Sequence, residues 1–274
     1  MTPISNLGFQ SEFVISQLEA DILVKPEYTV LKTASNPSYY FGNLLALSVP
    51  ISTHSKEEWL KIFTHEFKDM PKVEHLTFSW VRNNENELAI IESFTSAGFE
   101  FEEMHILALN KSAFKEPIKL NQTPVYRALT SQEDWEQWIQ LSIADQQGDY
   151  SEEGLKTYLT RKAKNYNQLE KAQLGNYLGA FVNNQLIGYA GLYHKDALGR
   201  FQNVHVIPEY QNQKIASTLL TLLIQNAPSS LQSLVIVADE HYHATALYQS
   251  LGFSIVEREC SLCWWPESHR KTAV

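Results

Sequence analysis

The chain has 274 residues, 44% hydrophobic and 19% charged, an ordinary globular composition with length for one or two domains and a sizeable core. Its 22 basic residues against 31 acidic ones give a formal charge of −9. That balance argues against a general nucleic-acid binder or a protein held on anionic membranes, and it suits a cationic amine as partner. No apolar run approaches the length of a membrane span and no basic start leads into an apolar segment, so a cytoplasmic protein, monomer or homodimer, is expected.

In the first half, LALSVPISTHSKEEWLKIFTHEF reads as a strand, Pro50 and a helix. That helix begins at Ser55, with Glu57 and Glu58 in its first turn, where carboxylates complement the helix dipole and would repel a bound anion. The strand LTFSWV follows, then a helix through Phe94, the pair Gly98-Phe99 and a strand ending in HILAL. The polar stretch KEPIKLNQT, residues 115 to 123, carries no periodic apolar pattern and reads as a seam.

Beyond it, residues 125 to 129 suit an opening strand, and SQEDWEQW starts a helix with a capping box at Ser131 and Asp134. A second helix is expected from about Glu152 to Lys171, with Leu155, Tyr158 and Leu159 on its inner face. The connection ADQQGDYSEE is polar and acidic, as fits either amine recognition or a solvated loop. Residues 176 to 182 and 186 to 193 form a hairpin about NNQ. Then come the alternating FQNVHV, Pro208, a polar loop, and a helix with Ile215, Leu219, Leu222 and Leu223 on its apolar face. The buried-type strand 234 to 238, a short helix carrying Tyr248, the pair Gly252-Phe253 and SIVERECSLCWW complete the order. Cys260 and Cys263 lie three apart on a strand and so point to opposite faces, which suits neither a metal nor a redox pair. Asp239, Glu240, His241 and His243 lack a zinc spacing and read as a helix-capping segment, so no metal site is expected.

Both halves therefore run strand, proline, helix, strand, helix, Gly-Phe, strand, which is one supersecondary plan used twice. In the second copy a strand feeds a helix through a short polar loop. The helix's unpaired N–H groups then face whatever lies beyond the strand end, a site suited to a pyrophosphate.

Two blocks in the second half carry a resemblance. The loop Gln211-Asn212-Gln213-Lys214-Ile215-Ala216 follows a strand and a proline, and the later helix holds His241, Ala244, Leu247 and Tyr248 ahead of Gly252-Phe253. This pattern resembles the GCN5-related N-acetyltransferase (GNAT) superfamily, whose loop reads Arg/Gln-x-x-Gly-x-Gly/Ala and whose later helix reads Asn-x-x-Ala-x-x-Leu-Tyr. Two positions depart from it: Lys214 stands where the family prefers glycine, and His241 where it prefers asparagine. The resemblance implies an α/β (α+β) fold of two GNAT-like mixed sheets flanked by helices in tandem, with residues 1–118 a degenerate copy and 123–274 an acetyl-CoA-binding domain.

Acetyl transfer to an amine needs a bound thioester, a neutral amine, a partner for the oxyanion and a proton for the leaving thiolate. By resemblance, Val204, His205 and Val206 splay from the neighbouring strand and offer main-chain groups to the pantetheine arm. Gln211, Asn212, Gln213, Lys214, Ile215, Ala216 and Ser217 cradle the pyrophosphate, with His241 at the later helix. Tyr248 is the implied general acid, protonated at neutral pH as a donor must be. Phe94, its counterpart four residues before Gly98, has no hydroxyl to give. Gln202 and Asn203 cannot accept a proton, which leaves His205 or an ordered water chain as base. The function implied is an N-acetyltransferase that moves an acetyl group from acetyl-CoA, by direct attack, to a primary amine of a small molecule or protein. A non-catalytic CoA-binding or scaffold protein is the alternative, and a longer acyl group is compatible with the same residues.

Overall fold

A computed structural model of the chain describes residues 6–82, 87–145, 151–239 and 244–269. Its first elements are α1 (Leu7–Ser16), β1 (Asp21–Val24), β2 (Tyr28–Lys32), β3 (Asn43–Leu47), α2 (Lys56–Phe67), β4 (Leu76–Val81), α3 (Leu88–Thr95) and β5 (Glu100–Asn110). There follow β6 (Val125–Ala128), α4 (Gln132–Asp145), α5 (Glu152–Lys171), β7 (Gly175–Val182), β8 (Gln185–Lys195) and β9 (Leu198–Val206). The last are α6 (Ile215–Asn226), β10 (Ser233–Asp239), α7 (Ala244–Ser250) and β11 (Ser254–Trp264). Helix α1 and the hairpin β1–β2 were not anticipated from the sequence.

The chain forms two compact units, one of Met1–Ile106, Asp149–Tyr158 and Glu257–Val274, the other of Leu107–Gly148 and Leu159–Val256. In the first, β1, β2 and β3 pair antiparallel in order, β3 pairs parallel with β4, and β4 pairs antiparallel with β11 from Glu259 to Trp264. Trp59, Phe63 and Phe67 of α2, Phe78 and Trp80 of β4 and Phe94 of α3 share one core with Cys260 and Leu262 of β11. Strand β11 also caps the start of helix α1: the N–H groups of Leu7 and Gly8 donate to Glu257 Oε1 and Oε2 at 2.9 and 3.0 Å. A carboxylate at a helix start satisfies orphan donors and complements the dipole.

In the second unit β6, β7, β8 and β9 pair antiparallel in order, and β9 pairs parallel with β10. The β7–β8 hairpin turns on Asn183 and Asn184, with φ +50 and +65°, both left-handed as a type I′ turn requires and as asparagine tolerates. One face of this sheet packs on α6 in an aliphatic core with Leu219, Leu220, Leu223, Phe201, Ile236 and Tyr248, to which Leu107 and Leu109 of β5 belong. The other face is aromatic: Trp135 and Trp138 of α4 and Tyr166 of α5 meet Tyr177, Tyr189 and Tyr193, with Tyr166 and Tyr177 centroids 4.9 Å apart. Glycine at 191 is obligatory there, since a Cβ would lie 2.8 Å from ring atoms of Tyr177. Helix α4 starts with the expected capping box, Asp134 N donating to Ser131 Oγ and Ser131 N to Asp134 Oδ2.

Both Gly-Phe pairs end a helix in the same way. Gly98 and Gly252 have φ +86 and +102°, and the following Phe99 and Phe253 donate their N–H to Phe94 O and Tyr248 O. This six-to-one closure with a left-handed glycine is a Schellman stop, where a side chain at the glycine would be strained.

The compact units do not divide at a single seam near 115–123. Strand β11, at the far end of the chain, completes the sheet of the first unit, while the end of β5 enters the core of the second. Composition along a chain marks polar connections, but which sheet a strand joins depends on long-range pairing that leaves no local signal.

Cut at the polar stretch, fragments 1–118 and 123–274 each lack core residues of the unit they would need to form. Each alone is expected to give a collapsed, poorly dispersed NMR spectrum, and a folded spectrum from either would contradict this description.

Asp134 carries a second prediction. Its side chain is 2% exposed, it accepts from Arg127 Nη1 and Nη2 at 2.8 and 2.6 Å, and Thr130 N and Ser131 N donate to it at 3.0 Å. The Arg127 guanidinium and these N–H groups hold its carboxyl well below the usual carboxylate range. A depressed folded-state pKa contributes stability above the unfolded value, about 3.9, and loses it as pH falls from there. Asp134→Ala should cost about 2 kcal/mol at neutral pH by chemical denaturation. The gap from wild type should narrow below about pH 4.

Candidate cofactor and acyl-transfer site

Strand β9 carries an extra residue relative to β8. Tyr189 faces His205 and Gly191 faces Gln202, so Ala190 alone opposes Asn203 and Val204, and Asn203 takes φ +39°. Such a bulge interrupts the two-residue alternation of a strand. Phe201 and Val204 therefore share the aliphatic face with α6, although three apart. Gln202 and His205 share the opposite face. Gln202 Oε1 accepts from Tyr166 Oη at 3.1 Å, and His205 Nδ1 lies 3.2 Å from Asp145 Oδ2 at the end of α4. The His205 ring sits 5.3 Å from that of Tyr189, whose hydroxyl shares a 2.9 Å hydrogen bond with Ser142.

Strands β9 and β10 are in register only from Leu198 to Arg200 against Ser233 to Val235 among the described residues. Beyond those pairs β9 runs on to Val206 and β10 to Asp239, so two parallel neighbours part toward their carboxyl ends. The edge of β9 that holds Val204, His205 and Val206 is left with main-chain donors and acceptors that no β10 residue meets in register. A crevice beyond the carboxyl ends of parallel strands is where open α/β sheets bind ligands.

The loop after β9 passes through a short 3-10 turn at Pro208–Tyr210 and is held from both sides. Gln211 Nε2 donates to Val206 O at 3.0 Å, and Gln213 Nε2 to Glu209 O at 3.1 Å. Asn121, from the polar stretch before β6, donates through Nδ2 to Gln213 O at 2.8 Å and through its N–H to Thr218 Oγ1 at 3.0 Å. Asn212 and Lys214 adopt φ +59 and +64°. Lys214 thus takes the left-handed conformation that the family's glycine would supply, at a cost of roughly 1–2 kcal/mol relative to glycine. Its side chain is exposed. Lys214 is the N-cap of α6 and supplies no side-chain cap, and the first bond of the helix runs from Thr218 N to Lys214 O. The N–H groups of Ile215, Ala216 and Ser217 precede that ladder, and no side chain among the described residues caps them.

The corresponding helix of the first unit is built differently. At the start of α2 Ser55 and Glu58 form a full capping box: Glu58 N donates to Ser55 Oγ, and Ser55 N donates to the Glu58 carboxylate, which places a negative charge at the helix start. Trp59, 0% exposed, fills the space behind it and donates through Nε1 to Ile51 O at 2.8 Å. Phe94 is buried in the same core.

Tyr248 lies on α7, 4% exposed, with its ring 6.3 Å from Phe253 in an edge-on contact. Together, the structure brings the 204–206 edge, the 211–217 loop, His205 and Tyr248 into one unit. His241, with Glu240 and His243, lies outside the described residues, as do residues 146–150 of the acidic connection. Among the described residues no three His, Cys, Asp or Glu side chains gather as a metal site, and no helix is long and apolar enough to cross a membrane. Cys260 and Cys263 are buried free thiols, each pushed up to about 12 by burial. Asp145 lies in the acidic connection noted in the sequence, but its pairing with His205 was not anticipated. A further local signal was a carboxylate at a helix carboxyl end, where the dipole disfavours it.

Residues 135–253 match the profile of the Acetyltransferase (GNAT) family. No curated protein matches the chain. Among solved structures, a functionally unknown conserved protein of Staphylococcus epidermidis aligns with a TM-score of 0.72 at 17% identity, covering 93% of this chain and 98% of that one. A GCN5-related N-acetyltransferase from Kribbella flavida aligns at 0.63 and 13% identity, covering 94% and 92%. A tandem GNAT protein from the clavulanic acid biosynthesis pathway aligns at 0.55 and 12% identity, covering 81% and 74%. Identities this low speak to fold alone. The family profile covers the opened strand pair, the polar loop and the Tyr248 helix, and the region it spans, residues 135–253, is a domain of the acetyltransferase (GNAT) family.

Proposed function

We propose that the protein is an acetyl-CoA-dependent N-acetyltransferase with one working site, in the second unit, acting on a primary amine of a small molecule or protein. The observation that carries this reading is the parting of β9 from β10 directly before an uncapped helix start. An extended chain with an anionic end fits that arrangement: main-chain groups along 204–206 for the amides of a pantetheine arm, and N–H groups of 212–217 for a pyrophosphate. Lys214 keeps the loop in its glycine-like conformation and adds an exposed positive charge beside it. In this reading the departure from glycine is compatible with binding, which favours the enzyme over a decayed scaffold. The first unit, a degenerate copy in this reading, keeps the plan but places the Glu58 carboxylate at the helix start, where it repels a pyrophosphate.

When bound, acetyl-CoA supplies an acetyl group activated as a thioester. The chain supplies position and protons. A backbone N–H of the 204–206 edge donates to the acetyl carbonyl, where negative charge grows as the amine attacks. His205 takes the amine's proton, and Tyr248 gives its phenolic proton to the departing thiolate. The acidic chain favours approach of a cationic amine.

Thiol release from acetyl-CoA, followed across a panel of primary amines, tests the activity, and absence of release with every amine would overturn it. Ala216→Trp should abolish CoA binding by calorimetry, because a bulky side chain at the loop blocks close approach of phosphate to the backbone. Lys214→Gly should leave binding intact, since glycine adopts the same left-handed conformation freely.

Tyr248→Phe should lower turnover about a hundredfold while CoA affinity stays near wild type. The ring keeps its place against Phe253, so the loss isolates the hydroxyl. Wild-type turnover in this variant would make Tyr248 a packing residue.

A further inference from the structure

Helix α4 ends on a carboxylate that faces the imidazole of His205, although sixty residues separate them in sequence. His205 Nδ1 and Asp145 Oδ2 are 3.2 Å apart, with the His205 side chain 11% exposed and that of Asp145 56% exposed. The bulge in β9 is what turns His205 onto the face that α4 covers; in a regular strand Gln202 and His205 would point to opposite faces. The imidazole is held from a second direction by the Tyr189 ring at 5.3 Å, and Tyr189 is fixed in turn by Ser142, one turn of α4 before Asp145. Two residues of one helix thus orient one imidazole. The arrangement is also unfavourable for the helix by itself, because a carboxylate in the last turn opposes the dipole. His205 is the compensating partner, and its hydrogen bond is the largest cause holding the Asp145 carboxyl below the usual range.

Resting on the acyl-transfer reading above, we propose that Asp145 is a positioning residue that fixes His205 with its proton on Nδ1 and its lone pair on Nε2. In that tautomer Nε2 is the atom free to accept a proton, and it carries no hydrogen bond to another described residue. As the C–N bond forms and the C–S bond breaks, His205 Nε2 keeps the proton lost by the amine nitrogen. Tyr248 supplies the proton that the thiolate gains. After product leaves, His205 returns its proton to solvent and Tyr248 regains one, so the cycle closes with no further reactant. Asp145 does not itself take a proton; it holds the ring in the accepting form and balances the charge that His205 acquires.

The test uses the full chain with acetyl-CoA, the amine panel and three variants, Asp145→Ala, His205→Gln and the double variant. Long-range nitrogen–proton NMR of the histidine rings is expected to show His205 as the Nδ1–H tautomer in wild type. In Asp145→Ala it should shift toward the Nε2–H form. Thiol release is expected to fall about tenfold or more in Asp145→Ala, and the double variant to be no slower than His205→Gln alone. CoA affinity by calorimetry should be unchanged in both single variants, which a merely structural loss would not leave intact. An Nε2–H tautomer in an active wild type would overturn this proposal alone, as would an Asp145→Ala enzyme at full rate beside a slow His205→Gln. No thiol release from wild type with any amine would overturn the acyl-transfer reading, and the proposal with it.

Discussion

Strand β9 has two residues, Asn203 and Val204, where β8 opposite has only Ala190, and that surplus organises the second unit. It moves His205 to the face covered by α4 and α5, leaves Val204 on the face of α6, and adds twist just where β9 and β10 stop pairing. A regular β9 would aim His205 into the aliphatic core, where an imidazole has no partner. The bulge is unfavourable locally. Asn203 sits at φ +39°, and beyond Arg200 no residue of β9 pairs in register with β10 among the described residues. It persists because both faces around it are heavily packed, by aromatic rings on one side and by the α6 core on the other.

The loop after β9 obeys the same logic with different residues. Its conformation requires left-handed backbone at 212 and 214, for which glycine is the usual solution. This chain uses asparagine and lysine instead, and braces the loop with Gln211, Gln213 and Asn121. The strain of two left-handed side-chain residues is thereby spread over hydrogen bonds that leave the donors of 215–217 unengaged. Helix α2, which follows Pro50 as α6 follows Pro208, shows the opposite choice. There Ser55 and Glu58 engage the helix start and Trp59 fills the space behind. The same strand–proline–helix order therefore carries a capped helix start in one unit and an uncapped one in the other.

Much of this was legible in the sequence because the signals are local. The capping boxes at Ser55 and at Ser131–Asp134, the Asn183–Asn184 turn and the two Gly-Phe helix stops each lie within a few residues of the groups they satisfy. The two helix stops share one backbone geometry, a left-handed glycine followed by a phenylalanine N–H bonded back to the last turn. What was not legible depends on distance along the chain. Glu257 caps α1 from 250 residues away, and β11 completes the first unit's sheet by a register that only the folded chain defines. The facing of His205 relative to Phe201 and Gln202 was hidden for a different reason. His205 alternates with Val204 and Val206 as the sequence suggests, but the bulge at Asn203–Val204 shifts that alternation by one residue from the part of the strand before it. Asp145 could not be paired with His205 without that correction.

The central claim is that CoA lies along β9 and the α6 start, and nowhere on the first unit. Hydrogen–deuterium exchange with and without CoA measures this directly, because the donors concerned are main-chain amides. The account predicts slowed exchange confined to Val204–Val206 and Asn212–Ser217, with no change from Val49 to Trp59. Protection at the α2 start, or no protection anywhere at millimolar CoA, would contradict it.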